Sequence, residues 1–418
     1  MRRSKGIEEK PSAIQKKSII MPYGKQYIDE DDIQAVINVL RSDWITQGPK
    51  IEEFERALSE YCGAKYAVAM NSGTSALHIA CLASNVKEGD EVITSPVTFV
   101  ASANCAVYCG ARPVFADIDP QTYNILPEEI GKKINERTRA VIPVHFAGQS
   151  CDMESIYRIV KAKEKQFNSK IFIVEDACHA LGSRYKVMDG GWARIGSCMH
   201  SEMVVLSFHP VKHITTGEGG AVLTNDETLY RKMKRLRSHG ITNNPEEFIG
   251  SSTPDLMPWY YEQIDLGYNY RITDIQCALG LSQLKKLQKY RKRRREIVDM
   301  YNESFSSTEY IQRPFEAKDC DSNFHIYVLL FDFEGIGIKR SELMTELRKK
   351  GIQTQVHYIP VYTQPFYKKK FGTKWGDCPN AERYYQRCLS LPLFPAMTGS
   401  DVKRVVNEVK RIVKPKER

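Results

Sequence analysis

The chain has no apolar run approaching the roughly 20 residues that a membrane span requires, so a transmembrane helix is excluded. The stretch from Met1 to Lys17 is polar and charged. It lacks the apolar centre of a secretory signal, and residues 1–20 read as a flexible extension. The eleven cysteines show no paired spacing, and their number is odd. That argues against a disulfide framework and for free thiols in a reducing cytoplasm. Internal repeats and low-complexity tracts are missing. The nearest metal-ligand clusters, Cys178/His179, Cys198/His200 and His209/His213, make no four-ligand set, so no metal is expected.

What remains describes a soluble, globular chain of 418 residues with 27% charged and 42% hydrophobic residues. That length suits one large and one smaller domain. The net charge of +9 is compatible with anionic ligands. Its densest basic run is Lys285–Arg295. Without a nucleic-acid fold signature, this run reads as the solvated face of a long helix.

From about residue 50 to 225 short apolar runs alternate with helical patterns. Strands are expected at Tyr66–Met70, Glu91–Thr94, Pro113–Ala116, Ala140–Val144 and Ile171–Val174. This alternation predicts an α/β fold with a mostly parallel sheet and helices on both faces. The large domain is expected over 21–295. The smaller α/β domain, over 296–418, carries strand-like runs at His325–Phe331 and Ile352–His357.

Three motifs each follow a predicted strand. Asn71-Ser72-Gly73-Thr74-Ser75 follows the first. Glu175-Asp176-Ala177-Cys178-His179 ends the fifth. Lys212 lies in Ser207-Phe208-His209-Pro210-Val211-Lys212, between the apolar runs Met203–Leu206 and Ala221–Leu223. In open α/β sheets, ligands bind beyond the carboxyl ends of the strands, so one shared site is expected. An amine, an acid and a phosphate-sized turn are the parts a pyridoxal phosphate site needs.

Each residue has a plainer alternative. Lys212 is either a surface lysine or an amine whose pKa burial lowers enough to form an imine. Asp176 is a turn or capping aspartate, or the partner of the pyridine nitrogen. Ser72, Gly73 and Thr74 open a helix, and their N–H groups suit a phosphate. Ser207 could add a hydroxyl there. Phe99 is a core residue or a ring stacked on the cofactor. His179 is a satisfied turn histidine, or a donor to the ring oxygen.

As an ordered set, these motifs resemble the nucleotide-sugar aminotransferases of the DegT/DnrJ/EryC1/StrS family over about residues 21–397. Trp44-Ile45-Thr46-Gln47-Gly48-Pro49 and Gly267-Tyr268-Asn269-Tyr270-Arg271 belong to the same set. The resemblance implies a type I, aspartate aminotransferase-like fold and a cytoplasmic homodimer with shared active sites. It implies pyridoxal 5'-phosphate as a Schiff base on Lys212, which also shuttles the proton. Asp176 would hold the pyridine nitrogen, with Ser207, Gly73 and Thr74 at the phosphate. Asn269 would reach the cofactor of the neighbouring subunit. Many members carry glutamine where this chain has His179, and histidine can still donate there. Relatives with histidine in place of the lysine act as dehydratases, and Lys212 argues against that branch.

Within the family, Pro143–Ser150, Ser238-His239-Gly240 and Gln355–Tyr362 resemble the 4-aminotransferases of pseudaminic acid biosynthesis. The implied reaction moves the amino group of L-glutamate to C4 of a UDP-4-keto-6-deoxy-N-acetylhexosamine of β-L-arabino configuration. Tyr23, Asp43, Trp44, Ile45, Thr46, Gln355, Val356, His357 and Tyr358 would line the sugar pocket. Other readings are amination of a bacillosamine- or perosamine-type keto sugar, and a pyridoxal phosphate-dependent lyase or dehydratase. A non-catalytic, DNA-binding use of the basic run is a further class, which retention of Lys212, Asp176 and the phosphate turn disfavours.

Overall fold

The structure, a computed structural model, describes residues 20–249 and 258–413. The expected extension 1–20 thus falls outside the described residues apart from Ile20. A seven-stranded sheet organises the molecule. Its strands are β1 (Tyr66–Met70), β2 (Glu91–Thr94), β3 (Arg112–Phe115) and β4 (Thr138–Ile142). Then come β5 (Phe172–Asp176), β6 (Met203–Ser207) and β7 (Gly220–Thr224). The spatial order is β1-β7-β6-β5-β4-β2-β3. Four neighbouring pairs are parallel, while β7 runs against both β6 and β1. The sheet is therefore mostly parallel, with a single reversed strand. The short β6–β7 connection allows that reversal and carries Lys212.

The strands are buried on both faces, which is why they read as continuous apolar runs. One core lies between the sheet and helices that include Pro49–Cys62 and Met153–Phe167. Another packs the helix Gly73–Ala83 against the opposite face.

A smaller sheet, in the order Ile311–Gln312, Tyr327–Phe331, Cys388–Leu391, has its own core with the helices Arg340–Lys349 and Gly399–Val413. Met21 joins this core and accepts the Gln353 N–H at 2.9 Å, so the start of the described chain belongs with its end. The helix Asp274–Ser304 runs unbroken through position 295 and contributes Ile297, Val298 and Tyr301 to the smaller core.

Two expectations need correction. Residues 352–357 form no strand. They are held by isolated bridges, Met21 to Ile352 and Gln355 to Ser390, which leave the segment irregular enough to turn side chains inward. The basic run is not simply a solvated face. Arg294 is 1% exposed and donates to the carbonyls of His325 and Leu393, while Arg295 forms a fork with Glu316. Half of a long helix must face the smaller core, and one arginine of the run falls on that face.

Candidate active site

The phosphate-sized turn is built by a cap. Ser72 Oγ accepts the Ser75 N–H and Ser75 Oγ accepts the Ser72 N–H, both at 3.1 Å. This reciprocal box fixes the start of the helix Gly73–Ala83. The N–H groups of Gly73 and Thr74 come first in the helix and have no intrahelical acceptor. They form the positive end of the helix dipole. Gly73 is packed so closely that a Cβ there would stand 2.9 Å from Ser207 Cβ. Gly220, opposite both Met70 and Ser207 in the sheet, presses from behind. A Cβ on Gly220 would meet Ser72 O at 2.5 Å and Gly73 N at 2.6 Å. The ends of β1 and β6, with β7 between them, thus deliver a cradle of N–H groups and a hydroxyl to one point.

Asp176 ends β5 and is 5% exposed. Its Oδ2 accepts Ser102 Oγ at 2.6 Å, and its Oδ1 accepts the Cys178 N–H at 3.1 Å. Ser102 is itself held by Thr98 Oγ1 at 2.7 Å. The carboxylate is therefore both a turn aspartate and a group fixed in the site.

Lys212 rides on a cross-tied connection. The Phe208 N–H donates to Gly219 O at 2.8 Å and the Thr216 N–H to Phe208 O at 3.0 Å. The Lys212 N–H itself closes a turn on His209 O at 2.9 Å. Burial pulls the amine's pKa below its ordinary value, opposed by the nearby Cys178 and Asp176 side chains. A lowered pKa is what an imine-forming lysine needs, because only the neutral amine attacks.

These parts converge on one cavity of about 550 Å³. It is lined, all from the expected set, by Tyr23, Ser72, Gly73, Thr74, Phe99, Asp176, His179, Ser207, Lys212, Gln355, Val356, His357 and Tyr358. Phe99 is 59% exposed at its edge, so it is not a core residue. His179 is buried and its Nε2 is hydrogen-bonded to Tyr358 Oη at 3.1 Å, while Nδ1 has no partner among the described residues. Burial, with Lys212, His357 and His213 nearby, holds its pKa well below the usual histidine range. His357 lies against Tyr23, their rings 5.3 Å apart, and burial takes its pKa down to about 3.

Five expected residues are not in this cavity. Asp43, Trp44, Ile45 and Thr46 are exposed on a loop whose Thr46 carbonyl accepts the Asp274 N–H at 3.3 Å. Asn269 is also exposed, in a bridge with Ser238. Sequence reasoning missed Ser102, Thr98 and Cys178. The i, i+4 spacing of Thr98 and Ser102 beside Phe99 was the available signal.

The residues present fit pyridoxal phosphate. The cradle takes a phosphate, the fixed carboxylate a protonated ring nitrogen, and the half-buried amine an aldehyde.

Comparison with known proteins agrees with this geometry. The family model of the DegT/DnrJ/EryC1/StrS aminotransferases matches residues 26–410. The spore coat polysaccharide biosynthesis protein SpsC of Bacillus subtilis is 42% identical over 402 residues, covering 96% of this chain and 99% of its own. The structure of Helicobacter pylori PseC, an aminotransferase involved in the biosynthesis of pseudoaminic acid, superposes with a TM-score of 0.83. It is 34% identical, over 94% of this chain and 99% of that one. Streptococcus pneumoniae Spr1654, assigned as a sugar aminotransferase, is 31% identical over 94% of this chain and 98% of its own. It has the same TM-score in both its PLP and PMP forms. With the family model spanning nearly the whole described chain, this protein belongs to the DegT/DnrJ/EryC1/StrS aminotransferase family and is a pyridoxal phosphate-dependent sugar aminotransferase.

Proposed function

We propose that the chain transfers the amino group of L-glutamate to C4 of a UDP-linked 4-keto-6-deoxy-N-acetylhexosamine of β-L-arabino configuration. The product would be UDP-4-amino-4,6-dideoxy-N-acetyl-β-L-altrosamine, a precursor for pseudaminic acid. The observation that carries this reading is the shared architecture with Helicobacter pylori PseC over 94% of the chain, with Lys212 seated in the cavity.

Bound pyridoxal phosphate supplies an aldehyde that accepts the amino group and a ring that absorbs the electrons freed at the adjacent carbon. The chain's residues do the rest. Lys212 would hold the aldehyde and, as the amine nearest it, would carry the proton between the donor's Cα and the cofactor carbon. Asp176, fixed by Ser102, keeps the ring nitrogen protonated. The Gly73 and Thr74 N–H groups with Ser72 and Ser207 would anchor the phosphate, and Phe99 would pack against the ring. His179 offers its free nitrogen to the ring oxygen. Tyr23 and the segment Gln355–Tyr358 bound the space for the sugar.

The exposed Asn269 and the loop Asp43–Thr46 act across a homodimer interface in this reading, completing the cavity of a second copy. The large domain extends to residue 295 and the smaller one from 296, with the helix Asp274–Ser304 as a rigid link. The work is done in the cytoplasm.

The 42% identity to SpsC favours a second reading: the same chemistry on another nucleotide-linked keto sugar destined for a polysaccharide. Parallel reactions with L-glutamate and either the L-arabino or the D-xylo 4-keto epimer, read by mass spectrometry, separate them. Glutamate-dependent amination of the L-arabino compound supports the first reading. Preference for the D-xylo compound moves the enzyme to a bacillosamine-type route, and no product from either leaves the second reading standing.

A further inference from the structure

Behind the cavity lie buried histidines that the mechanism above does not use. The imidazole of His325 packs on that of His179, with ring centroids 4.3 Å apart, and lies 5.5 Å from that of His213. His213 directly follows Lys212. On its far side, His179 holds Tyr358 Oη at 3.1 Å, and Tyr358 lines the cavity. The backbone of His325 is tied in both directions. Its N–H donates to Ala147 O at 2.9 Å, and its carbonyl accepts Arg294 Nη1 at 3.1 Å. His325 therefore has a fixed base, and its ring fills the space between the residue after the reacting amine and the residue at the cofactor ring.

We propose that His325 is a positioning residue for the reaction at Lys212: its imidazole fixes the ring plane of His179, and through it the hydroxyl of Tyr358. The charged and titratable groups that face His179 and His325 are Lys212, His213, His357, Arg294 and the Tyr358 hydroxyl. None is a carboxylate, so nothing here stabilises an imidazolium. A neutral His179 has one N–H and one lone pair. Tyr358 takes one of these at Nε2, which leaves Nδ1 as the single remaining contact. Where Nδ1 points is set by the ring plane, and the ring packed nearest to it is that of His325, at 4.3 Å against 6.1 Å for Tyr358 and 6.3 Å for Phe146. The signal was present in the sequence only as His325 at the head of a strand-like run.

The inference rests on Lys212 as the reacting amine. The experiment compares His325→Phe, His325→Ala, Tyr358→Phe and the double variant His325→Ala/Tyr358→Phe in the holoenzyme. Two quantities are read: the pH midpoint of the visible absorption of lysine-bound pyridoxal phosphate without substrate, and kcat against KM. His325→Phe keeps a ring at the contact and should stay near the wild type in both. His325→Ala should move the absorption midpoint and lower kcat by about tenfold to a hundredfold with little change in KM. The double variant should be no worse than the more affected single one, because both act through His179. An unchanged midpoint in His325→Ala, additive losses in the double variant, or His325→Phe as damaged as His325→Ala would each overturn the proposal. Should His325→Ala not fold, His325→Leu, which fills the space without a flat ring, takes its place: its midpoint must move. Lys212→Ala run alongside tests the underlying reading separately, since persistence of the lysine-bound absorption there would unseat Lys212 itself.

Discussion

Ser102 Oγ donates to Asp176 Oδ2 at 2.6 Å, with both residues buried. A hydrogen bond to a carboxylate contributes more than a neutral one, on the order of 1.5–3 kcal/mol. With the Cys178 N–H on Oδ1 it also fixes the carboxylate plane, so the remaining lone pairs face a set direction. Ser102→Ala should therefore weaken retention of pyridoxal phosphate by about tenfold and lower kcat, while the fold survives. Equilibrium dialysis of the cofactor against the variant checks this. Unaltered affinity would show that Cys178 N–H alone orients the carboxylate.

Burial lowers the pKa of Lys212 from the ordinary 10.5. The neutral amine is then present at lower pH than in a free lysine. A rate limb that depends on the neutral amine rises with pH and has its midpoint below 10.5. Adding a carboxylate at the wall, Val211→Asp, should push that midpoint back up. A pH series of the half-reaction with glutamate measures it, and a midpoint at or above the free-lysine value would contradict the burial argument.

The neutral histidines make the apoenzyme acid-labile. His179, His213 and His325 are held well below the usual range and His357 at about 3, burial being the first cause in each. Below the ordinary histidine pKa of 6.5, the unfolded chain binds protons that the folded chain refuses. Stability is therefore fully present above that value and falls as pH drops below it. Each histidine contributes a slope of up to about 1.4 kcal/mol per pH unit. Urea unfolding of the apoenzyme between about pH 7 and pH 5 should show a steep loss, and His325→Phe should make it shallower. The same slope in both proteins would remove His325 from the account.

Much of this was readable in advance, for reasons that differ by residue. Strands β1 and β2 were delimited to the residue because each is a short apolar run bounded by Gly, Asn or Ser signals. Lys212, Asp176 and Ser72–Thr74 could be gathered around one cavity from the sequence because a strand end followed by a turn is a local pattern. Ser102 could not, because its role depends on β2 and β5 lying two strands apart, with β4 between them. Arg294 was misread because a run of like charges says nothing about which face of its helix is covered. The segment 352–357 looked like a strand because alternation alone cannot distinguish a paired strand from an extended wall of a pocket.

Gly73 and Gly220 test the cradle against each other. A methyl on Gly73 would meet the Cβ and Oγ of Ser207 at 2.9 and 3.2 Å, atoms of a small side chain that can turn away. A methyl on Gly220 would meet backbone of Ser72 and Gly73 within 2.6 Å, which cannot move without opening the cap. Overpacking of this kind costs about 1–3 kcal/mol when the neighbours are able to relax. Gly73→Ala should therefore fold with a modest loss of stability but bind pyridoxal phosphate poorly, since the Ser207 hydroxyl is displaced from the phosphate. Gly220→Ala should lose more stability, because β1, β7 and the helix cap must all shift together. Thermal melts of both apoenzymes, with and without added cofactor, separate the two effects. The cofactor should raise the melting temperature of the wild type clearly and that of Gly73→Ala little. Equal stabilisation of Gly73→Ala and the wild type would mean that the phosphate is held elsewhere than in the Ser72–Thr74 turn.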